Sequence, residues 1–421
     1  MTTDYPPGKI SFFGMFGVGN LGNEATLQAM LHNVRRFLPN AGVSCICAGP
    51  EAVAQNYSIP AYLIREFPLP PLNSQKLRLL RKALLAIPLE LCRWLMVARR
   101  LKSTDMVVMT GTGMLSDLDI HPLGLHYDIL RWSVLAKLYR CKLAFVSVGA
   151  GPIRHPLSRF FVKAALRMAD YHSFRDNFSR SYVEGLGISK GNNVYPDLAF
   201  SLPRDVAAPY RPSDSRRPVI GVGLITNDRR RDTLERDDAI YQDYVRSISA
   251  LVGWLVAHKY TVRLLIGDVE YDSRARQDLK SSLERSGLMG PDIIDEPAQS
   301  AGELLSQLVR TDIVVASRFH NILLALMLKK PVVAISFHEK VDSLMRAMGL
   351  TRFCHDIEHI DVNALIEQLM FLEEHIESIS CDLDRKTEAY RTALDEQYDT
   401  IFKGFKINKP LPQTSPRGLE Y

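Results

Sequence analysis

The sequence predicts an α/β protein made of two Rossmann-like domains that face each other across a cleft. Short apolar runs of strand length alternate with helical patterns in both halves of the chain, which is typical of parallel βαβ units. A break rich in Pro, Ser and charged residues, residues 203–218, separates the two halves. Several predicted strands end in glycine turns, and open α/β sheets bind ligands at that edge.

Length and composition agree with this architecture. The chain has 421 residues, of which 46% are hydrophobic and 24% charged, and these values exclude a mainly disordered chain. Lys plus Arg number 52 against 47 Asp plus Glu, a balance too weak to predict nucleic-acid binding. The 6 cysteines are scattered and predict neither a disulfide framework nor a zinc site. With no secretory signal pattern and no apolar run of about 18 residues, we expect a cytoplasmic protein.

The first half, residues 1–202, is predicted to be the N-terminal domain. Its elements are strand 9–16, helix 23–38, strand 43–48, strand 106–110, strand 143–148 and helix 156–169. A basic helical insertion at about 74–103 interrupts this order, with leucines at helical spacing and Pro88 marking a kink. We expect this insertion to pack on the first sheet, although its basic amphipathic character also suits an anionic membrane surface.

The second half, residues 219–380, is predicted to be the C-terminal domain. Its strands are 219–224, 261–266, 313–316 and 331–336, and its helices are 241–258, 275–285, 321–328 and 340–348. Residues 381–407 are predicted to form one more helix, and the proline-containing tail 408–421 is expected to be loosely held.

The first predicted strand runs into residues 17–22, GVGNLG, which match the G-x-G-x-x-G pattern of dinucleotide-binding turns. Such a site needs an acidic residue after the next strand to hold the ribose, and only the late Glu51 is available. NAD is therefore disfavoured. A tight turn in which Asn20 caps the following helix and a site that binds a ligand explain this segment equally well.

Further glycine turns follow predicted strands at residues 111–113, 149–151 and 221–223. Because they occur in both halves, they favour a ligand cleft between the domains. Two other segments allow two interpretations each. Residues 173–176, SFRD, form either a local ion pair or an anion site around Arg175, and Asp197 either caps a turn or orients a hydroxyl.

The sharpest cluster is residues 316–321, ASRFHN, at a strand-to-helix transition. Arg318 offers a planar fork for phosphate or carboxylate, and His320 can exchange a proton near neutral pH. Packing alone does not explain this pair, so we predict that it acts in function. Lys340, after the next strand, either contacts an anion or begins a solvated helix.

Taken in order, these segments resemble the polysaccharide pyruvyl transferase family. The resemblance extends from about Lys9 to about Leu350 and is most specific at residues 317–320, SRFH, which are similar to the family's S-x-R-x-H or S-R-x-H segment. The other segments that carry it are residues 17–22, 111–115, 147–152, 173–176, 196–199, 334–340 and 340–350. The chain departs from the family at Asn23, where an aspartate is usual, so Glu24 is expected to take over that role or the role differs here.

The resemblance implies a GT-B-like fold, phosphoenolpyruvate as donor and a sugar hydroxyl pair as acceptor, with no cofactor and no metal. It makes His320 the candidate acid, with Arg318 as its catalytic partner, and makes the C-terminal domain the donor side. The implied donor-binding residues are Ser317, Arg318, Asn321, Lys340, Arg175 and Gly223. The implied acceptor-binding residues on the N-terminal side are Gly19, Asn20, Asn23, Glu24, Gly113 and Asp197.

Two other functions stay open at this point. A GT-B glycosyltransferase would use a nucleotide sugar, with Glu303 or Asp312 holding the ribose. A non-catalytic glycan-binding or assembly subunit is the second, which Asn23 favours and the intact Arg318 and His320 disfavour. The basic excess between Lys76 and Lys102 also predicts peripheral docking on a membrane, where a lipid-linked acceptor would be found.

Overall fold

The computed structural model describes residues 8–66, 75–116, 121–189, 191–206, 217–226 and 234–407, and for 75–84, 234–237 and 404–407 the backbone alone. Across these ranges the chain forms two parallel sheets flanked by helices, so the predicted fold class is confirmed. Most of the predicted linker 203–218 and all of the tail 408–421 lie outside the described residues.

The first sheet belongs to the N-terminal half. Its strands are β1 (Lys9–Phe13), β2 (Gly42–Cys47), β3 (Ala61–Leu63), β4 (Met106–Met109), β5 (Lys142–Val148), β6 (Tyr171–Phe174) and β7 (Asn193–Val194). Their order is β3-β2-β1-β4-β5-β6-β7. Strand order reverses between β1 and β4, and such a switch point opens a crevice beyond the carboxyl ends of the strands.

Helices cover both faces of this sheet, which is why its strands are apolar on both sides. They are α1 (Leu21–Phe37), α2 (Pro50–Tyr57), α3 (Gln75–Leu101), α4 (Leu125–Leu138), α5 (Pro156–Met168) and α6 (Asn177–Gly185). Phe12 lies in the core on the α1 side, whereas Phe13 packs among residues of α3, α4 and α5 on the opposite side. The expected insertion is α3, one helix that contains Pro88 and packs on the sheet as predicted.

The second sheet repeats this arrangement in the C-terminal half. Its strands are β8 (Val219–Gly223), β9 (Thr261–Leu265), β10 (Ile293–Ile294), β11 (Ile313–Ala316), β12 (Val332–Ser336) and β13 (Cys354–Asp356), in the order β10-β9-β8-β11-β12-β13. Its helices are α7 (Leu234–Ala257), α8 (Ser273–Arg285), α9 (Ala301–Val309), α10 (Phe319–Met327), α11 (Glu339–Ala347) and α12 (Val362–Glu374).

The last helix, α13 (Ile376–Ile407), begins earlier than predicted and connects both domains. Near its start, Asp384 pairs with Lys329 of the C-terminal domain at 2.6 Å. Farther along, the buried Gln397 contacts Ser147 and Ser173 at the ends of β5 and β6. The final helix therefore completes the core of the first domain. Among the described residues, no helix is both long enough and apolar enough to span a bilayer.

Candidate functional site

The two domains meet where the turn after β1 approaches the turn after β9. The Leu21 N–H donates to the Gly267 carbonyl at 3.0 Å, and the Val269 N–H donates to the Gly19 carbonyl at 2.9 Å. Asn20 adds a side-chain bond from Nδ2 to Asp268 Oδ2 at 3.2 Å, while its Oδ1 caps α1 by accepting from the Asn23 N–H. The turn thus combines helix capping with a contact between the domains.

Gly22 lies at the centre of this contact, beneath His320. A Cβ atom added to Gly22 would stand 1.8 Å from His320 Cγ and 1.9 Å from Nδ1. Only a residue without a side chain permits this approach, so the first turn of the N-terminal domain covers the imidazole on the side of Cγ and Nδ1. The glycine pattern in the first motif therefore serves a close contact between the domains.

Substituting Gly22 by Ala is expected to push the two domains apart at this point. Overpacking of a tight contact costs about 1–3 kcal/mol, and we expect a lower melting temperature together with reduced activity. Gly185→Ala is the matched control, because a Cβ there meets nothing within 4 Å. Equal melting temperatures for the two variants would contradict the proposed contact.

His320 lies in the first turn of α10, directly after β11. The imidazole is partly exposed, but its Nε2 atom is enclosed and has no hydrogen-bond partner among the described residues. Burial lowers the pKa of His320 well below its ordinary value, and the cations Arg175, Lys340 and Arg318 lower this pKa further. The imidazole is therefore neutral at pH 7, with an unused nitrogen near three positive charges.

Arg318 is held by a buried carboxylate, Asp272. The Arg318 Nε and Nη2 atoms donate to the Asp272 oxygens at distances of 2.6 to 3.1 Å. Asp272 also accepts from the N–H groups of Gly267 and Asp268, at 3.0 and 2.9 Å. The guanidinium is thereby fixed beside the site. Because Nε and Nη2 already donate to Asp272, Arg318 has fewer N–H groups available for a donor substrate than the free fork that the sequence predicts.

Ser317, Asn321 and Gly223 form a packed layer behind Arg318. The Ser317 hydroxyl donates to the Tyr244 hydroxyl at 3.2 Å and is buried. Asn321 is fully buried against Gly223 and Gly267, and neither its Nδ2 nor its Oδ1 has a partner among the described residues. These three residues shape the site from behind and do not line the cavities described next.

Two small adjoining cavities lie between the domains, with volumes of about 30 and 70 Å³. Arg175 and Asp176, after β6, and Lys340, in the first turn of α11, line both cavities. The first cavity is completed by Pro196, Asp197, Phe200, Phe319, Ser343, Leu344, Ala347 and Tyr390. The second is completed by Gly113, Ser116, Gly149, Ala150, Gly151, Phe178, Ser179 and His338. A cation from each domain thus stands where the cavities meet.

Arg175 and Asp197 form the charged wall of the first cavity. Arg175 Nη1 lies 3.4 Å from Asp197 Oδ2, and the guanidinium carbon lies 4.6 Å from the centre of the Phe319 ring. Burial raises the pKa of Asp197, and Arg175 opposes that shift. Asp197 also caps the short 3-10 helix Leu198–Ser201. Asp197 thus caps a turn and also lines the first cavity, so both the capping role and the role of orienting a hydroxyl stay open.

Asn23 and Glu24 lie away from these cavities. The Asn23 side chain donates to the Met15 carbonyl at 2.9 Å, and Glu24 accepts from the Gly17 N–H at 2.6 Å and from the Tyr57 hydroxyl at 3.1 Å. Burial raises the pKa of Glu24. Both side chains thus make hydrogen bonds inside the first domain, and their part in acceptor binding stays a prediction.

The predicted residues thus divide by position. Arg175, Lys340, Gly113 and Asp197 line the cavities, and Arg318 and His320 lie beside them. Sequence reasoning missed Asp272 and Asp268, in the segment 267–272, GDVEYD, which follows β9. The sequence signal for them is Gly267, a glycine turn directly after the predicted strand 261–266.

Several solved structures of low sequence identity share this fold. A candidate UDP-N-acetylglucosamine 2-epimerase from Listeria monocytogenes has a TM-score of 0.61 at 11% identity, covering 96% of this chain and 98% of its own. MnaA from S. aureus, solved with UDP, has a TM-score of 0.58 at 12% identity and coverages of 97% and 99%. HepE from Anabaena, in complex with UDP, has a TM-score of 0.57 at 13% identity and coverages of 94% and 99%. These likenesses confirm the GT-B-like arrangement of the two domains.

Sequence comparison gives the family. No curated protein matches the chain, but the family model for polysaccharide pyruvyl transferase matches residues 20–339. This range includes the turn around Gly22, the cavity residues Arg175 and Asp197, and the pair Arg318 and His320. The match covers well over half of the 421 residues. The chain belongs to the polysaccharide pyruvyl transferase family.

Proposed function

We propose that this protein transfers a pyruvyl group from phosphoenolpyruvate to a pair of sugar hydroxyls and forms a cyclic ketal. The observation that carries the proposal is the pair Arg175 and Lys340, one from each domain, at the junction of two cavities beside His320. A transferase needs one cavity for each substrate and a charged junction where the substrates react. The family match supplies the class of reaction.

The donor fits the cationic junction. Phosphoenolpyruvate carries a phosphate and a carboxylate, and Arg175 provides a planar fork suited to either group. Lys340 lies in the first turn of α11, where the helix dipole also favours negative charge. Arg318 adds positive potential from behind, held by Asp272. The acceptor then occupies the second cavity, along the glycine turns at Gly113 and Gly149.

The chemistry requires one proton donor and two hydroxyl attacks. Protonation of the methylene carbon of the donor produces the methyl group and leaves an oxocarbenium-like carbon, which the first sugar hydroxyl attacks as it loses its proton. The bond from this carbon to the phosphate oxygen then breaks, and the second hydroxyl attacks as phosphate departs. One ketal and one phosphate form. Of the two protons released by the sugar hydroxyls, one restores the acid that protonated the carbon, and the other leaves with the phosphate.

We assign the first proton to His320 in this scheme. The free protein keeps the imidazole neutral, because burial and three cations oppose its charge. A bound donor brings negative charge that offsets those cations, so binding raises the pKa of His320 and charges the acid when substrate is present. Since the turn at Gly22 covers the imidazole, the domains must also move apart before the donor can reach it.

Donor binding is therefore expected to be coupled to proton uptake by His320. Titration calorimetry at pH 7, in two buffers with different ionisation enthalpies, measures the protons taken up when phosphoenolpyruvate binds. The wild type is expected to take up more protons than His320→Gln, because only the wild type has the group whose pKa rises. The difference between the proteins cancels the ionisation of the donor itself. Equal uptake, with donor bound in both cases, would remove His320 as the acid.

The proposal is tested directly by product formation. The purified protein is incubated with phosphoenolpyruvate and galactose-, glucose- or mannose-type acceptors, while phosphate release and the mass of the acceptor are followed. We expect release of phosphate together with the mass gain of a pyruvyl ketal. Glycan binding without turnover, under conditions where the donor binds, would instead identify a non-catalytic subunit.

A glycosyltransferase that uses a nucleotide sugar is the alternative suggested by the UDP-bound structural neighbours. The carboxylates predicted for its ribose do not support it. Glu303 accepts from the Gln299 N–H and lies in the first turn of α9, and Asp312 accepts from the Val219 N–H at the amino ends of β8 and β11, opposite the cleft. Thermal stabilisation by phosphoenolpyruvate but not by UDP or GDP sugars is the expected result, and the reverse result would favour the glycosyltransferase.

A further inference from the structure

The exposed apolar side chains of this protein are concentrated in one region. Among the described residues twelve large hydrophobic side chains are exposed, and nine of them lie between Leu85 and Phe160. We call seven of these the apolar rim: Leu85, Ile87, Leu91 and Leu95 of α3, Leu123 just before α4, and Leu157 and Phe160 of α5. A chance scatter of exposed residues would not concentrate on three neighbouring helices.

Helix α3 buries an apolar stripe that includes Val97 and Leu101, and it exposes a second one. Leu91 and Leu95, one turn apart, are 61% and 62% exposed. The polar residue Glu90 instead faces inward, where it bonds Tyr127 and the fully buried Arg131 at 2.9 Å. A surface helix normally buries its apolar stripe and exposes its charges. The outer side of α3 is therefore suited to a partner that is itself apolar.

Helix α5 repeats this feature beside it. Phe160 is 62% exposed, whereas the adjacent Phe161 is buried, with its ring centre 5.5 Å from that of Tyr127 on α4. Tyr127 in turn accepts a hydrogen bond from Trp94 of α3. In the described residues α3, α4 and α5 pack on the same face of the first sheet. Their outer sides consequently belong to one continuous surface of the N-terminal domain.

Among the described residues of the three helices, basic side chains outnumber acidic ones on this surface. The three helices contain only two carboxylates, Glu90 and Asp128, and both turn inward to Arg131. No acidic residue occurs in the sequence from Ile129 to Ala169. The same helices expose basic side chains, Arg99 on α3 and Arg159 and Arg167 on α5. Apolar side chains between cations match the chemistry of a bilayer interface with anionic headgroups.

We propose that the outer side of α3, α4 and α5 docks on a lipid bilayer that contains anionic lipids. A second copy of the chain is a poorer occupant, because a symmetric contact would bring two basic surfaces together. A lipid bilayer matches both the apolar and the basic side chains of this surface, because the apolar rim can enter the acyl boundary while the cations contact lipid phosphates.

Docking would hold the acceptor side of the cleft next to the membrane. The strands are parallel, and α4 and α5 each begin at the carboxyl edge of the sheet, so Leu123 and Phe160 lie near the edge where Gly149 and Gly151 line the second cavity. If the proposed pyruvyl transfer is correct, on which this step alone rests, the acceptor is a sugar carried by a membrane lipid.

Vesicle binding tests the docking without any turnover. The full chain is sedimented with phosphatidylcholine vesicles, with and without phosphatidylglycerol, in the absence of donor and acceptor. The wild type is expected to bind the anionic vesicles and to be released by salt. A variant carrying Leu91→Gln, Leu95→Gln and Phe160→Gln is expected to partition at least about tenfold more weakly, with an unchanged melting temperature because these side chains are exposed.

Met370→Gln is the matched control, because Met370 is an exposed apolar residue on α12 of the other domain. The control is expected to bind vesicles as the wild type does. The proposal is overturned if the wild type ignores anionic vesicles, or if the three-site variant binds them equally. It is also overturned if the three substitutions convert a dimer in solution to a monomer, since the surface would then belong to a second copy. None of these results depends on ketal formation, so the two proposals fail separately.

Discussion

Replacing His320 by Gln is expected to reduce turnover by about 10²–10⁴-fold, the usual contribution of a positioned proton donor. Glutamine keeps a polar side chain of similar reach but cannot deliver a proton at pH 7. The fold should tolerate the change, because the enclosed Nε2 makes no hydrogen bond among the described residues. Steady-state phosphate release from phosphoenolpyruvate measures the loss.

Two controls separate chemistry from stability in this experiment. His359→Gln changes an exposed histidine of the same domain and should leave turnover unchanged. Melting temperatures of the two variants should agree with that of the wild type within a few degrees. A His320→Gln protein that is folded and retains the wild-type rate would show that the proton comes from another group.

Replacing Asp272 by Ala is expected to destabilise the protein by about 3–5 kcal/mol, because it leaves the charge of Arg318 buried and unpaired. The Asp272 carboxylate is fully buried, and the Arg318 side chain is only 15% exposed. The substitution also removes the acceptor to which the N–H groups of Gly267 and Asp268 donate. Urea unfolding of wild type and variant measures the loss of free energy.

A second substitution tests whether the ion pair is the cause. Adding Arg318→Met to Asp272→Ala removes the uncompensated charge, so the double variant should be more stable than Asp272→Ala alone. Arg318→Met alone is measured as well. If the loss of unfolding free energy in the double variant equals the sum of the losses in Asp272→Ala and Arg318→Met, the destabilisation arises from lost packing or backbone contacts and not from the charge.

The fold could be predicted because buried parallel strands leave a strong signal. Residues 106–109, MVVM, are apolar on both faces and end in a glycine turn, and both properties are visible without a structure. Helix α4 left no such signal. It buries His126, Asp128 and Arg131, and these polar side chains are stabilised by partners such as Arg65 and Glu90 that lie far away in the sequence.

The candidate site could be predicted in part for the same reason. Arg318 and His320 are two positions apart, so their juxtaposition is local and visible. Asp272 is 46 positions from Arg318 and reaches it only because β8 stands between β9 and β11 in the sheet. The place of Glu24 in a glycine motif predicts a ligand contact, and in the structure its oxygens accept hydrogen bonds from Gly17 and Tyr57, which the local sequence does not indicate.

The route of α13 constrains how the cleft can open. The helix bonds the C-terminal domain through Asp384 and Lys386, and a few residues later bonds the N-terminal domain through Arg391 and Gln397. The chain therefore passes between the domains twice, once through residues 203–218 and once inside a continuous helix. Two connections define a hinge axis, and a continuous helix resists twisting and stretching because its backbone hydrogen bonds hold successive turns together. The movement that uncovers His320 should consequently be a rotation about α13, with the end of that helix travelling with the first domain.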